Sequence, residues 1–331
     1  MTATAIHPRR LNWGRLLRRY GTLIGFLLIV LFFWWQRPET FMTVRNWLNI
    51  TQQMSILGVV AFTSTVVMVV GDFDLSVGAM ASLAGILAAL IFQAEQPILV
   101  GVVAALLAGM LGGLLNGILV AYAGISAFVA TLGTLTVFSG IAFTISDGKT
   151  IFGRAIPEAF SDFAKGGLML GEIGGQPVTI PALTLLAVLI LFAVWVLMEQ
   201  TVYGRRLYAI GGNREAARLA GVKVRLLRAS AFIISGAGAA IAGLMLVSRL
   251  ATANPTQGDN LMLNAIAAVF LGMTMSEEGE PHVLGSLVGV LILGVLANGL
   301  TQMNVDSYVQ QILTGSIIVA AVLASSLSRR R

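Results

Sequence analysis

The chain has 331 residues, 57% hydrophobic and 11% charged, with a net charge of +6 and a mean hydropathy of +0.88. Soluble domains carry about 25% charged residues and disordered chains few apolar ones, so both classes are excluded. Long uncharged runs recur from residue 21 to residue 326, the pattern of a polytopic membrane protein.

Residues 1–20 hold five arginines, and no cleavage site follows a short apolar core, so they read as a retained cytoplasmic tail. The first span is about 21–36, closed by Trp34 and Trp35 as an interfacial belt. The second covers about 51–70 and ends at Gly71-Asp72-Phe73-Asp74-Leu75-Ser76; the third, 77–93, follows at once. Spans four and five are 97–122 and 125–146. A Gly- and Pro-rich segment, 148–180, then carries three basic and three acidic residues. The sixth span is 181–199, a basic stretch occupies 203–228, and spans seven to ten lie near 229–249, 261–275, 283–302 and 307–326. A short tail, 327–331, ends the chain.

Orientation follows from the lysines and arginines. Residues 1–20 hold five, 203–228 seven and 329–331 three, together 15 of 21. Ten spans put these three segments on one side and 148–180 on the other, so both termini are expected in the cytoplasm. The fold expected is an all-α integral membrane protein of about ten transmembrane helices. Small residues at Gly109, Gly113 and Gly117, at Gly285 and Gly289, and at Gly236, Ala240 and Gly243 are the faces on which such helices pack closely.

No chemistry of catalysis is legible. Gly148-Lys149-Thr150 looks like the end of a phosphate-binding loop, but the glycine required five positions earlier is Phe143. The chain has no cysteine, and His7 and His282 are far apart in sequence, so neither a metal nor a cofactor is expected. The basic residues flank hydrophobic runs and form no groove-sized patch, so nucleic acid is not an expected partner.

The most informative stretch is cytoplasmic. Asn213 suits an N-cap, Glu215 the first turn of a helix, Ala216, Ala217, Leu219 and Ala220 its body, and Gly221 its stop. Such a short helix fits a topology-setting loop and equally a segment that docks into another protein's groove. Asp72 and Asp74 fall at the cytoplasmic end of span two, where Asp74, Leu75 and Ser76 suit a cap for span three. Asn116, Thr131, Thr134, Asn264 and Asn298 fit interhelical hydrogen bonding or a path for a polar solute.

Four ordered motifs carry a family resemblance across nearly the whole chain. Gly71-Asp72-Phe73-Asp74-Leu75-Ser76-Val77-Gly78, Ala130-Thr131-Leu132-Gly133-Thr134, the 209–221 pattern with Ala209, Gly211, Asn213, Ala216, Ala217 and Gly221, and Leu293–Leu300 resemble the permease subunits of ribose-type sugar ABC importers. The resemblance implies half of a dimeric pore in the bacterial inner membrane, paired with the same or a paralogous permease and embedded in lipid. Sugar would arrive on an extracytoplasmic binding protein, and a separate ATP-binding dimer would drive transport. It further implies that Gly211, Asn213, Glu215, Ala216, Ala217, Arg218 and Gly221 meet that dimer. The alanine methyls are expected against it and the charges at the rim. Asp72, Asp74, Ser76 and Gly78 would form gate structure.

Two departures stand out. Asp72 and Phe73 replace a glycine and an isoleucine of the family's turn. Glu277, Glu278 and Glu280 replace a neutral glycine turn, which fits an asymmetric heterodimer or simple loop drift. Nucleoside or amino-acid cargo, an ion-coupled secondary transporter using Asp72 and Asp74, and a membrane enzyme are the alternatives.

Overall fold

A computed structural model describes residues 13–173, 176–276 and 279–329, leaving most of the N-terminal tail, Glu277, Glu278 and the last two arginines outside. In chain order the helices are α1 (Trp13–Gln36), α2 (Val44–Val69), α3 (Val77–Gln93), α4 (Ile98–Ala121), α5 (Ala127–Ile145), α6 (Glu158–Lys165) and α7 (Ala182–Trp195). They continue with α8 (Val202–Gly212), α9 (Arg214–Leu219), α10 (Val224–Leu250), α11 (Asp259–Met273), α12 (Val283–Gln302) and α13 (Ser307–Arg329). Every hydrophobic run named above is a helix, and the protein is an all-α membrane protein. Among the described residues six helices are long and apolar enough to cross a bilayer: α2, α4, α5, α7 with its π-turn, α10 and α12. The apolar part of α1, α3 and α11 are shorter.

Local signals explain where the ends moved. Thr43 caps α2 by accepting from the Asn46 amide at 3.2 Å, so the helix starts seven residues before its apolar stretch. α10 begins inside the basic stretch, which shortens the loop between α7 and α10. The 148–180 segment is not bare loop. Strands β1 (Ile151–Phe152), β2 (Gly167–Ile173), β3 (Gln176–Pro181) and β4 (Thr252–Ala253) form two antiparallel pairs, β1 with β4 and β2 with β3. Outside lipid, such backbone can pair in open strands, which the hydrocarbon core forbids.

α2 and α10 form the centre, and the small-residue faces place them. Val59, Val60, Val66 and Val67 of α2 are fully enclosed, whereas Val188, Leu189 and Phe192 of α7 are exposed on the outer surface. α4 crosses α10 so closely that a methyl added at Gly109 or Gly113 would overlap the carbonyl oxygens of Gly236 and Phe232. Gly289 of α12 meets the Ala268 carbonyl of α11 in the same way. Gly113→Leu is therefore expected to lower the melting temperature of the detergent-solubilised protein, since overpacking costs about 1–3 kcal/mol. An unchanged melting curve would refute the α4–α10 contact.

Candidate functional site

The turn between α2 and α3 holds two carboxylates with opposite surroundings. Gly71 carries it out of α2 at φ +77°, a conformation that favours glycine. Asp72 then turns toward the 203–228 segment. Arg228, in the first turns of α10, donates to both of its oxygens, from Nε at 2.9 Å and from Nη2 at 3.0 Å. Arg214 adds Nη2 at 2.9 Å and also donates to the Val70 carbonyl at 2.8 Å. The Asp72 side chain is 5% exposed and that of Arg228 14%. A carboxylate held by two guanidinium groups is a strong, geometrically specific arrangement.

Asp74 turns inward. Its Oδ1 accepts from the Ser76 amide at 3.0 Å and the Ser76 hydroxyl at 2.6 Å, and its Oδ2 from the Ser235 hydroxyl at 2.8 Å. Asn116 donates to Ser76 Oγ at 2.8 Å and accepts from Thr134 at 2.7 Å. This buried network joins α3, α4, α5 and α10 without a basic side chain among its partners. Ser235 lies seven residues beyond Arg228, which is about 10 Å along α10 at the usual helical rise. Two acids one residue apart thus sit at two depths. The side-chain cap expected for α3 is not formed: Ser76 stands at the N-cap without a side-chain bond to the helix, because its hydroxyl is turned to Asp74.

The remaining polar candidates separate. Thr131 donates to the Ala127 carbonyl at 2.7 Å and reaches the Phe73 carbonyl at 3.4 Å, so it supports the turn. Asn298 accepts from Gln302 at 3.0 Å on α12, and Asn264 is half-buried on α11; neither joins the network. Gly78 is a close-approach position, since an added methyl would sit 2.7 Å from the Gly258 carbonyl oxygen ahead of α11. Phe73 stacks against Phe270 with ring centroids 6.0 Å apart.

The basic stretch 203–228 holds two short helices ahead of α10. Asn213 ends α8 and caps α9, accepting from the Glu215 and Ala216 amides at 3.0 and 2.9 Å, and Gly221 stops the turn at φ +82°. Tyr203 of α8 shares a 2.9 Å hydrogen bond with Ser230 of α10. The two alanines divide. Ala217 is 5% exposed, on the side of α9 that packs against α8 and α10, and belongs to the same buried cluster as Leu207 and Ile210 of α8, while Ala216, Ala220 and Leu219 (77%) face outward. Gly211 abuts the end of α2, where a methyl would overlap the Val69 carbonyl oxygen. Glu215 and Arg218 form an exposed 2.6 Å ion pair, and that hydrogen bond holds the Glu215 carboxyl below its ordinary value.

Of the acids in the 277–280 turn, Glu280 is described. It lines a cleft with Glu199, Tyr208, Trp195 and His282. Burial, then the hydrogen bond to Glu199, push the Tyr208 phenol upward, so it stays a donor.

Comparison with known proteins gives this arrangement a context. The family model for the branched-chain amino acid transport system permease component matches residues 46–322. The chain belongs to this permease family. It is similar to the ribose import permease protein of Bacillus subtilis (strain 168), 38% identical over 316 residues spanning 95% of each chain. The probable ABC transporter permease protein of Escherichia coli (strain K12) is 33% identical over 96% of this chain and 92% of its own. The xylose transport system permease protein of Escherichia coli (strain K12) is 32% identical over 95% and 93%. No solved structure matches the chain.

Neither Arg228 nor Ser235 was singled out in the sequence. Arg228 hides among the topology-setting basic residues of 203–228, and Ser235 in a small-residue row. Only their partners mark them.

Proposed function

We propose that the permease is the membrane-spanning subunit of an ATP-driven sugar importer, with a pentose such as ribose as cargo. The observation that carries this is the full-length likeness to a ribose import permease, supported by the xylose relative. The permease subunit would form half of a dimeric pore in the bacterial inner membrane. It would cross the bilayer ten times with both termini inside. An extracytoplasmic binding protein would deliver sugar to the side bearing 148–180, and a separate ATP-binding dimer would hydrolyse ATP.

The contact with that dimer is assigned to α9, through Leu219, Ala216 and Ala220, with Glu215 and Arg218 at its rim. Ala217, Asn213, Gly211 and Gly221 would shape and seat the helix from within. Asp74, Ser76, Asn116 and Thr134, with Ser235, would hold the gate.

Vesicles containing the permease with its ATP-binding subunit and binding protein test the function. Uptake of labelled ribose is expected to require ATP and to resist excess leucine or uridine; uptake without ATP would favour an ion-coupled transporter. Topology has its own test. Cysteines placed at Glu158 and Arg206 of this cysteine-free chain are expected to label from opposite sides. Labelling of both from outside would sink the ten-span arrangement.

A further inference from the structure

We infer that Asp72 and its two arginines are the element through which movement of α9 reaches the gate network, with Arg214 and Arg228 as positioning residues for transport. This rests on the importer reading above. Arg214 is the first residue of α9, immediately after the Asn213 cap, and it grips the turn twice, at the Val70 carbonyl (2.8 Å) and at Asp72 (2.9 Å). A displacement of α9 therefore pulls on the backbone and on the side chain of the same turn.

The rest of the turn is built to pass that displacement on. Behind it, Gly71 at φ +77° makes the joint with α2. Ahead of it, Asp74 is fastened by Ser76 at the start of α3 and by Ser235 on α10, and Ser76 is fastened in turn by Asn116 of α4. Only Phe73 separates the two carboxylates, so Asp72 cannot move far without moving Asp74. Arg228 supplies the fixed point. It is anchored in α10, the helix also held by Ser235, and its two bonds to Asp72 define where the turn rests.

A simple staple would need no such division. Apolar packing of the buried Ala217 side of α9 against α8 and α10 already holds the helix to the bundle. The ion cluster adds direction, because a forked guanidinium fixes the orientation of a carboxylate as well as its distance. Sites coupled through a contiguous network with two arrangements are biased by whatever moves one end of it.

The test measures sugar uptake and ATP hydrolysis together in proteoliposomes holding the full importer. Asp72→Asn and Arg228→Met are expected to assemble and to hydrolyse ATP near the wild-type rate. The sugar moved per ATP is expected to fall by about tenfold, inside the range typical of coupling between sites. Arg228→Lys keeps the charge without the fork and is expected to restore part of that ratio.

The double variant Asp72→Asn with Arg228→Met decides between transmission and stapling if a single one fails to assemble, because it leaves no unpaired acid. It is expected to assemble and to remain uncoupled. A wild-type ratio in the double variant, or uptake and hydrolysis falling together, overturns the inference, and so does loss of assembly in the double variant. Absence of ATP-dependent uptake by the wild-type importer defeats the importer reading itself, an outcome distinct from all of these.

Discussion

Leu219→Asp is expected to abolish uptake while leaving the permease folded and in the membrane. Leu219 is 77% exposed on α9, a helix whose other outward positions are Ala216, Ala220 and the Glu215–Arg218 pair. A large apolar side chain among small and charged ones is the natural anchor of a docked helix. Losing a central anchor of this kind costs about 2 kcal/mol or more, roughly a thirtyfold weaker association. Ala217→Trp should fail in a different way. Its methyl packs inside the chain, so the indole would force α9 away from α8 and α10 at a cost of about 1–3 kcal/mol. Co-purification with the ATP-binding subunit and the melting temperature separate the two. Leu219→Asp should lose the partner and keep its melting temperature, and Ala217→Trp should lose thermal stability. Arg218→Ala changes a rim charge and should mainly alter salt dependence. Full uptake by Leu219→Asp would discard the docking role of this face.

Asp74→Leu is expected to produce the largest loss of stability of any substitution in the turn. The carboxylate accepts from the Ser76 amide, the Ser76 hydroxyl and the Ser235 hydroxyl, all buried. Removing it strands donors that have no water to turn to. Each buried donor left unsatisfied costs about 1–3 kcal/mol, so the sum is several kcal/mol and most of the protein should be degraded or aggregated. Asp74→Asn keeps one acceptor oxygen and should be much milder. Ser235→Ala removes one donor and should be milder again. The ranking is read from melting temperature and membrane abundance. If Asp74→Leu were as stable as Asp74→Asn, the network would not be what holds α3, α4, α5 and α10 together.

Much of the architecture could be read in the amino-acid order. Lipid demands long apolar helices, so composition alone placed the hydrophobic runs that became α1 to α5, α7 and α10 to α13. The glycine rows at Gly109, Gly113 and Gly289 announced close helix contacts for the same reason, since in lipid only near backbone approach packs helices well. The cap and stop of α9 were equally legible, because Asn213 and Gly221 act on backbone groups within a few residues of themselves.

Only the tertiary structure decided which partners those residues meet. In sequence Asp72 and Asp74 are two acids beside a glycine. In the fold one faces two guanidinium groups from 142 and 156 residues away, and the other faces the hydroxyls of Ser76 and of Ser235 on α10 and the amide of Asn116 on α4. Ala216 and Ala217 look alike until α8 and α10 are laid against one of them. Periodicity and capping are local and can be read along the chain. Burial, charge pairing and the choice of face depend on residues brought together by helices that cross, and no spacing rule contains that information.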